Sequence, residues 1–159
     1  MHPENIVEQI KERFPDEVTD SGSTFGQTWA VLRRDKLAAI CRFLKDDPDI
    51  RMDYLIDVTA VDWQPNTPRF EVVYHLHSMK HMHRLRLKVP LEEDDVTIPS
   101  VDGIWKTACW HERETYDLFG IKFDGNSDLR RILMPDDWEG HPLRKDYPLE
   151  GTEWQFKPW

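Results

Sequence analysis

Cysteine is scarce: Cys41 and Cys109 are the only two among 159 residues, and neither has a second cysteine or a histidine at ligand spacing. An iron-sulfur cluster needs about four thiolates, so this chain does not complete one by itself. Two isolated thiols read as small apolar side chains in a reduced compartment. Long apolar runs are missing too, since no stretch approaches the roughly 20 residues of a membrane helix. The start, Met1-His2-Pro3-Glu4-Asn5, lacks the basic and apolar regions of a secretory signal. Membrane attachment is therefore expected only through another protein. There is no G-x-G-x-x-G and no P-loop lysine, which removes the usual nucleotide cradles. Glu112 is followed by Arg113-Glu114-Thr115 with no second histidine in place, which excludes a zincin helix. Basic residues are the minority, 21 against 30 acidic for a net charge of -9. Such a field repels phosphate backbones, and nucleic acid is not an expected partner.

What is present suits one soluble globular domain with a tail: 39% hydrophobic, 32% charged and 11% aromatic residues. Ile6, Val7, Ile10 and Phe14 fall at helical spacing and Pro15 ends the pattern. Ser21-Gly22-Ser23 reads as a turn into a strand over Thr28 to Leu32. Asp35 is placed to cap a helix whose stripe is Leu37, Ile40, Cys41 and Leu44, closed by Asp47-Pro48. Tyr54 to Trp63 alternates as a strand, with Ile56, Val58 and Ala60 on one face and Leu55, Asp57, Thr59 and Val61 on the other. Phe70, Val72, Tyr74 and Leu76, then Leu85, Leu87 and Val89, predict a hairpin with Tyr74 opposite Leu85, Val72 opposite Leu87 and Glu71 against Lys88. Val101 to Phe119 carries apolar residues at helical spacing, with Gly120 as the stop. The expected fold is α+β, a mainly antiparallel or mixed sheet with flanking helices over residues 1–133. From Met134 onward Pro135, Pro142, Pro148 and Pro158 exclude a continuous helix while aromatic residues recur, which predicts an extended tail over 134–159.

His75, His77, His81 and His83 invite a metal site. In the expected hairpin register His75 and His77 face one way and His81 and His83 the other, so solvated tip histidines are the better reading. The densest polar cluster is Glu112, Arg113, Glu114 and Asp117. As catalysis, Glu112 or Glu114 would serve as a general base, with His141 drawn in for a hydrolase. As structure, Arg113 and Asp117 pair four residues apart, and Glu112, inside the apolar stripe, takes its cation from Arg130 or Arg131. The structural reading is preferred, so no catalytic, cofactor or metal residue is assigned. Trp138 to Tyr147 mixes aromatic, basic and turn residues, a composition that suits both interface anchors and a closing surface loop.

Three blocks in order, Glu112-Arg113-Glu114-Thr115-Tyr116-Asp117-Leu118-Phe119-Gly120-Ile121, Asp128-Leu129-Arg130-Arg131-Ile132-Leu133, and Trp138-Glu139-Gly140-His141-Pro142-Leu143-Arg144-Lys145-Asp146-Tyr147, resemble the signature of the C-type hydrophilic subunit of complex I, NADH:quinone oxidoreductase. Leu55 to Trp63 is similar to a strand of that family. One departure is Asn126-Ser127, where family members often carry His-Pro. The resemblance implies an accessory α/β subunit of the peripheral arm on the cytoplasmic face of a bacterial inner membrane. It implies docking on the D-type subunit at the quinone cavity, with FMN and iron-sulfur clusters held by other subunits. Trp138, His141, Arg144, Lys145, Tyr147, Trp154 and Trp159 are the expected interface residues. Membrane-bound hydrogenases and related dehydrogenases share these blocks in looser form and remain the alternative.

Overall fold

Ile6, Val7 and Ile10 line the buried side of α1 (Pro3–Arg13), the first element of a computed structural model in which residues 3–150 are described. The second helix, α2 (Leu37–Asp46), buries the whole predicted stripe of Leu37, Ile40, Cys41 and Leu44. Asp35 does not cap it: Lys36 holds the N-cap position without a side-chain bond, and the first turn closes through backbone, Ile40 N donating to Lys36 O at 2.9 Å. At the other end Asp47 Oδ1 accepts the N–H groups of Asp49 and Ile50, which turns the chain out of the helix.

Five strands follow the order β1-β2-β5-β4-β3: β1 (Val18–Thr24), β2 (Gln27–Leu32), β3 (Tyr54–Asp62), β4 (Phe70–His77) and β5 (Arg84–Leu91). Only β2 and β5 pair in parallel, so the sheet is mixed, as expected. Its inner face, with Ala30, Leu32, Phe70, Val72, Tyr74, Leu85, Leu87 and Val89, joins α1 and α2 in one buried core.

Four local expectations are corrected. Ser21-Gly22-Ser23 lies inside β1, and the turn is Phe25-Gly26, both at positive φ, a two-residue loop whose twist matches the hairpin. Gly22 is needed there because a Cβ would sit 2.8 Å from Trp29 Cζ2 on the paired strand. In β3 a bulge at Ile56 shifts the register, so Leu55 joins Val58 and Ala60 on the buried side. The β4–β5 hairpin keeps its predicted faces but pairs two residues further along, Tyr74 with Leu87 and Val72 with Val89. A shift of two preserves side-chain direction, so the apolar pattern alone could not separate these registers. Glu71 and Lys88 still meet diagonally at 3.5 Å. The third helix, α3 (Ala108–Phe119), begins seven residues later than its periodicity suggests, because Val101 to Thr107 forms turns. Gly120 ends it at φ 76, in the left-handed conformation expected of the stop. A two-stranded parallel sheet, β6 (Thr97–Pro99) with β7 (Lys122–Asp124), flanks α3. Three residues are too few for an alternation to be read.

Candidate functional site

Helix α3 turns three charged side chains inward, Glu112, Arg113 and Asp117. Glu112 is fully buried and accepts from Ser100 Oγ at 2.6 Å, Val101 N at 2.7 Å and Asn126 Nδ2 at 2.7 Å. The expected arginine partner is therefore replaced by neutral donors. Burial pushes its carboxyl up, against the pull of those bonds. Asn126, at the departure from the family pattern, serves as the clasp between Glu112 and the loop after β7.

The expected Arg113–Asp117 pair is not formed. Arg113, buried, donates to the carbonyls of Arg130 and Arg131 at 3.2 and 2.9 Å and stacks under exposed Trp110. Asp117 points its carboxylate at the segment after Arg130. Oδ1 takes Arg131 NH1 at 2.6 Å, and Oδ2 accepts the backbone N–H groups of Ile132, Leu133 and Met134. Burial raises this carboxyl, but those donors outweigh it and the net direction is down. Arg130 pairs with Asp128, and Glu114 faces solvent, outside the lattice. Glu112 and Glu114, one inward and one outward, do not converge on His141. That geometry offers no hydrolase centre.

Residues 131–147 run along the domain as a strap. Arg131 NH2 donates to the carbonyls of Trp138 and Gly140, His141 Nδ1 to Asp117 O at 2.9 Å, and Arg144 Nε to Phe119 O at 2.6 Å. Leu143 N bonds Leu118 O, and Lys145 bonds Asp62 through its backbone and Gln64 O through its ammonium. Gly120 is the saddle: a Cβ there would meet His141 and Arg144 at 2.6 Å. Tyr147 packs against Gly140. Trp154 and Trp159 lie outside the described residues.

A second hub was not anticipated. Arg69, 4% exposed, binds Asp62 through Nε and NH2 at 3.1 and 2.9 Å, Asp146 of the strap at 2.9 Å, and Glu93. It thus joins the end of β3, the start of β4 and the strap. These partners raise the guanidinium, Asp62 first and Asp146 next. Burial acts to raise the Asp62 carboxyl, but Arg69 with Lys145 and Gln64 N–H groups pulls it to about 2. The signal was present in the sequence: Asp62 continues the inward parity of Val58 and Ala60, and a carboxylate there requires a cation.

The tip histidines are not simply solvated. His77 Nδ1 meets His83 O, His81 Nε2 meets Pro48 O, and buried His83 Nε2 meets Ile50 O at 2.9 Å, tying the β4–β5 tip to the loop after α2. His75 lies between Asp57 and Arg86 on the outer face of the sheet. No group of side chains placed to hold a metal occurs among the described residues. Cys41 is buried, which raises its thiol, and Cys109 stands apart from it in the loop-facing part of α3.

While Arg131, His141 and Arg144 of the strap turn inward, Leu133 and Leu143 along it and Leu149 just beyond are 60%, 52% and 105% exposed, and Trp110 beside Arg113 is 60% exposed. No helix among the described residues is long and apolar enough to cross a membrane.

The family described as respiratory-chain NADH dehydrogenase, 30 Kd subunit, matches residues 30–153. The chain is 46% identical to the C-type subunit of the NADH-quinone oxidoreductase of Geotalea uraniireducens (strain Rf4) over 147 residues, 92% of this chain and 88% of that one. It is 44% identical to the corresponding subunit of Roseiflexus sp. (strain RS-1) over 151 residues, 95% and 87% of the two chains. Among solved structures it resembles the trypsin-resistant fragment (1-134) of Nqo5, with TM-score 0.68 and 29% identity over 81% of this chain and all of that one. It also resembles a chain of the membrane-bound sulfane sulfur reductase, an archaeal respiratory membrane complex, with TM-score 0.76 and 29% identity over 92% and 85% of the two chains. The family match over residues 30–153 and these relatives identify the chain as a member of the 30 Kd subunit family of respiratory-chain NADH dehydrogenase, the C-type subunits of NADH-quinone oxidoreductase.

Proposed function

We propose that the chain is an accessory scaffold subunit of a proton-translocating NADH:quinone oxidoreductase, docked through its strap on the D-type subunit beside the quinone cavity. In this reading it sits in the peripheral arm on the cytoplasmic face of a bacterial inner membrane. FMN and the iron-sulfur clusters belong to other subunits, and the chain contributes no catalytic group. The observation that carries the reading is the division of the strap: Arg131, His141, Arg144 and several backbone groups are spent on the domain, while Leu133 and Leu143, with Leu149 just beyond, are left facing out beside the exposed Asp136, Asp137 and Glu139. A docking surface presents apolar anchors with a polar rim over a rigid base. A home in a related membrane-bound reductase or hydrogenase is supported by the structural likeness to the sulfane sulfur reductase, but the 29% identity there is well below the 46% shared with the NADH-quinone oxidoreductase relative.

The test uses Leu133→Asp and Leu143→Asp. Both side chains are exposed, so the purified chain should keep its melting temperature. Recovery of the chain with its neighbours from native membranes should fall sharply. Equal recovery of wild type and both variants would place the docking surface elsewhere.

A further inference from the structure

Two guanidinium groups share the ring of Phe70, and they are treated very differently. Arg69 has its carbon 4.8 Å from the ring centre and collects the carboxylates of Asp62, Asp146 and Glu93. Arg144 lies at 5.1 Å and has no carboxylate paired with it among the described residues. Its one side-chain hydrogen bond among them runs from Nε to Phe119 O. A guanidinium carries five N–H donors, and a cation withdrawn from water without a counter-charge is costly. Burial and the like charge of Arg69 disfavour the cationic form of Arg144, and Asp146, Asp62 and Glu93 favour it only from a distance, because their carboxylates are bonded to Arg69 instead.

Arg144 lines a hollow of about 300 Å³ together with Gly140, His141, Asp146 and Tyr147. This is the lower end of the range for small-molecule sites, about 300–1,000 Å³. His141 is fixed beside it: Nδ1 donates to Asp117 O, so in the neutral ring Nε2 carries the lone pair, and burial together with Arg144 and Arg131 disfavours its protonation. Among the described residues, no carboxylate is thus bonded to the guanidinium in this hollow, and its terminal N–H groups are left to another partner. Glu139 and Asp146 at its wall would repel a doubly charged phosphate more than a single carboxylate.

We propose that this hollow receives one Asp or Glu side chain of the partner subunit, its carboxylate paired with the terminal N–H groups of Arg144. The inference rests on docking through the strap and adds to it the residue that orients the contact. Arg144 then sets register between the subunits: the apolar anchors of the strap supply area, and the enclosed pair rejects a misaligned partner.

The test compares Arg144→Gln and Arg144→Lys with wild type in two measurements, melting of the purified chain and recovery of the assembled complex from native membranes. Both variants lose the Nε bond to Phe119 O, so the melting temperature of the purified chain should fall by the same amount in each, while only Arg144→Gln also loses the charge. Recovery of the complex should fall at least about tenfold for Arg144→Gln, the loss expected of a buried charge pair, with Arg144→Lys between it and wild type. Recovery that follows the melting temperature equally in both variants would make Arg144 only a brace of the strap and overturn the proposal. Equal recovery of Arg144→Lys and Arg144→Gln would overturn recognition by charge. Sodium phosphate and sodium acetate titrated at constant ionic strength give a further arm: stabilisation of the wild-type chain by phosphate, abolished in Arg144→Gln, would identify a phosphate site instead. Leu143→Asp separates the two readings. If it blocks assembly while Arg144→Gln assembles normally, docking through the strap stands and the carboxylate pocket fails; if both assemble normally, both fail.

Discussion

Replacing Asp62 by Asn should remove the charge that holds β3, β4 and the strap at one point. The side chains of Asp62 and Arg69 are 2% and 4% exposed, so solvent does little to screen their pair. Folding lowers the Asp62 carboxyl from 3.8 to about 2, the result of burial opposed and outweighed by Arg69 and by the N–H groups of Lys145 and Gln64. A depression of that size corresponds to roughly 2.5 kcal/mol of stability at neutral pH. Breaking a buried pair by removing one partner costs about 3–5 kcal/mol, but Arg69 retains Asp146 and Glu93, so the lower figure of roughly 2.5 kcal/mol is the better expectation. In a chain of this length that is a fall of about 5–10 °C in melting temperature. The pH dependence supplies a second signature. Because the folded carboxyl titrates below the unfolded one, its contribution is complete above the unfolded value of 3.8 and disappears as the pH falls towards about 2. Denaturant titrations between neutral pH and the acid limit should therefore show wild type losing more stability than Asp62→Asn, with the two curves converging in acid. A neutral-pH melting temperature unchanged in the variant, or parallel acid limbs, would refute the assignment of Arg69 and Asp62 as a coupled hub.

Arg113→Ala should cost about 2–3 kcal/mol, since it leaves the Arg130 and Arg131 carbonyls without their buried donor, and thermal denaturation of the purified chain measures it. Gly120→Ala should loosen the strap, because the residue sits at φ 76 and its methyl would displace His141 and Arg144. Faster tryptic cleavage after Arg144 or Lys145, at unchanged circular dichroism, is the expected result. Elemental analysis of the purified chain after chelation should find no stoichiometric metal; a metal that persists through repurification would reverse that expectation.

Periodicity carried much of the fold because it reports which face of an element avoids water. Ile6, Val7 and Ile10 of α1, the stripe of α2 and the inward sets of β4 and β5 are buried as their spacing requires, while Phe14, just past the end of α1, is half-buried. The signature blocks likewise carried the family, since their order and spacing are legible without coordinates. The pattern could not decide anything that depends on a partner distant along the chain. A two-residue shift in the hairpin leaves every face unchanged, so the length of the tip loop, tied down by His81 and His83, selects the register. Helical spacing over Val101 to Thr107 was overridden by tertiary bonds, Glu112 accepting Val101 N and Trp105 Nε1 donating to Met52 O. Charge pairing was the least legible feature. Arg113 and Asp117 are one turn apart and would pair in an isolated helix, yet each instead binds the segment that follows, because buried backbone groups of residues 130–134 need those partners more than the two charges need each other. Residue order dictated which side chains must leave water and which family they spell, since both are properties of local pattern. Which charge meets which followed from the return path of the folded chain, and that path also distinguished the inward, fastened side of the strap from the side left open.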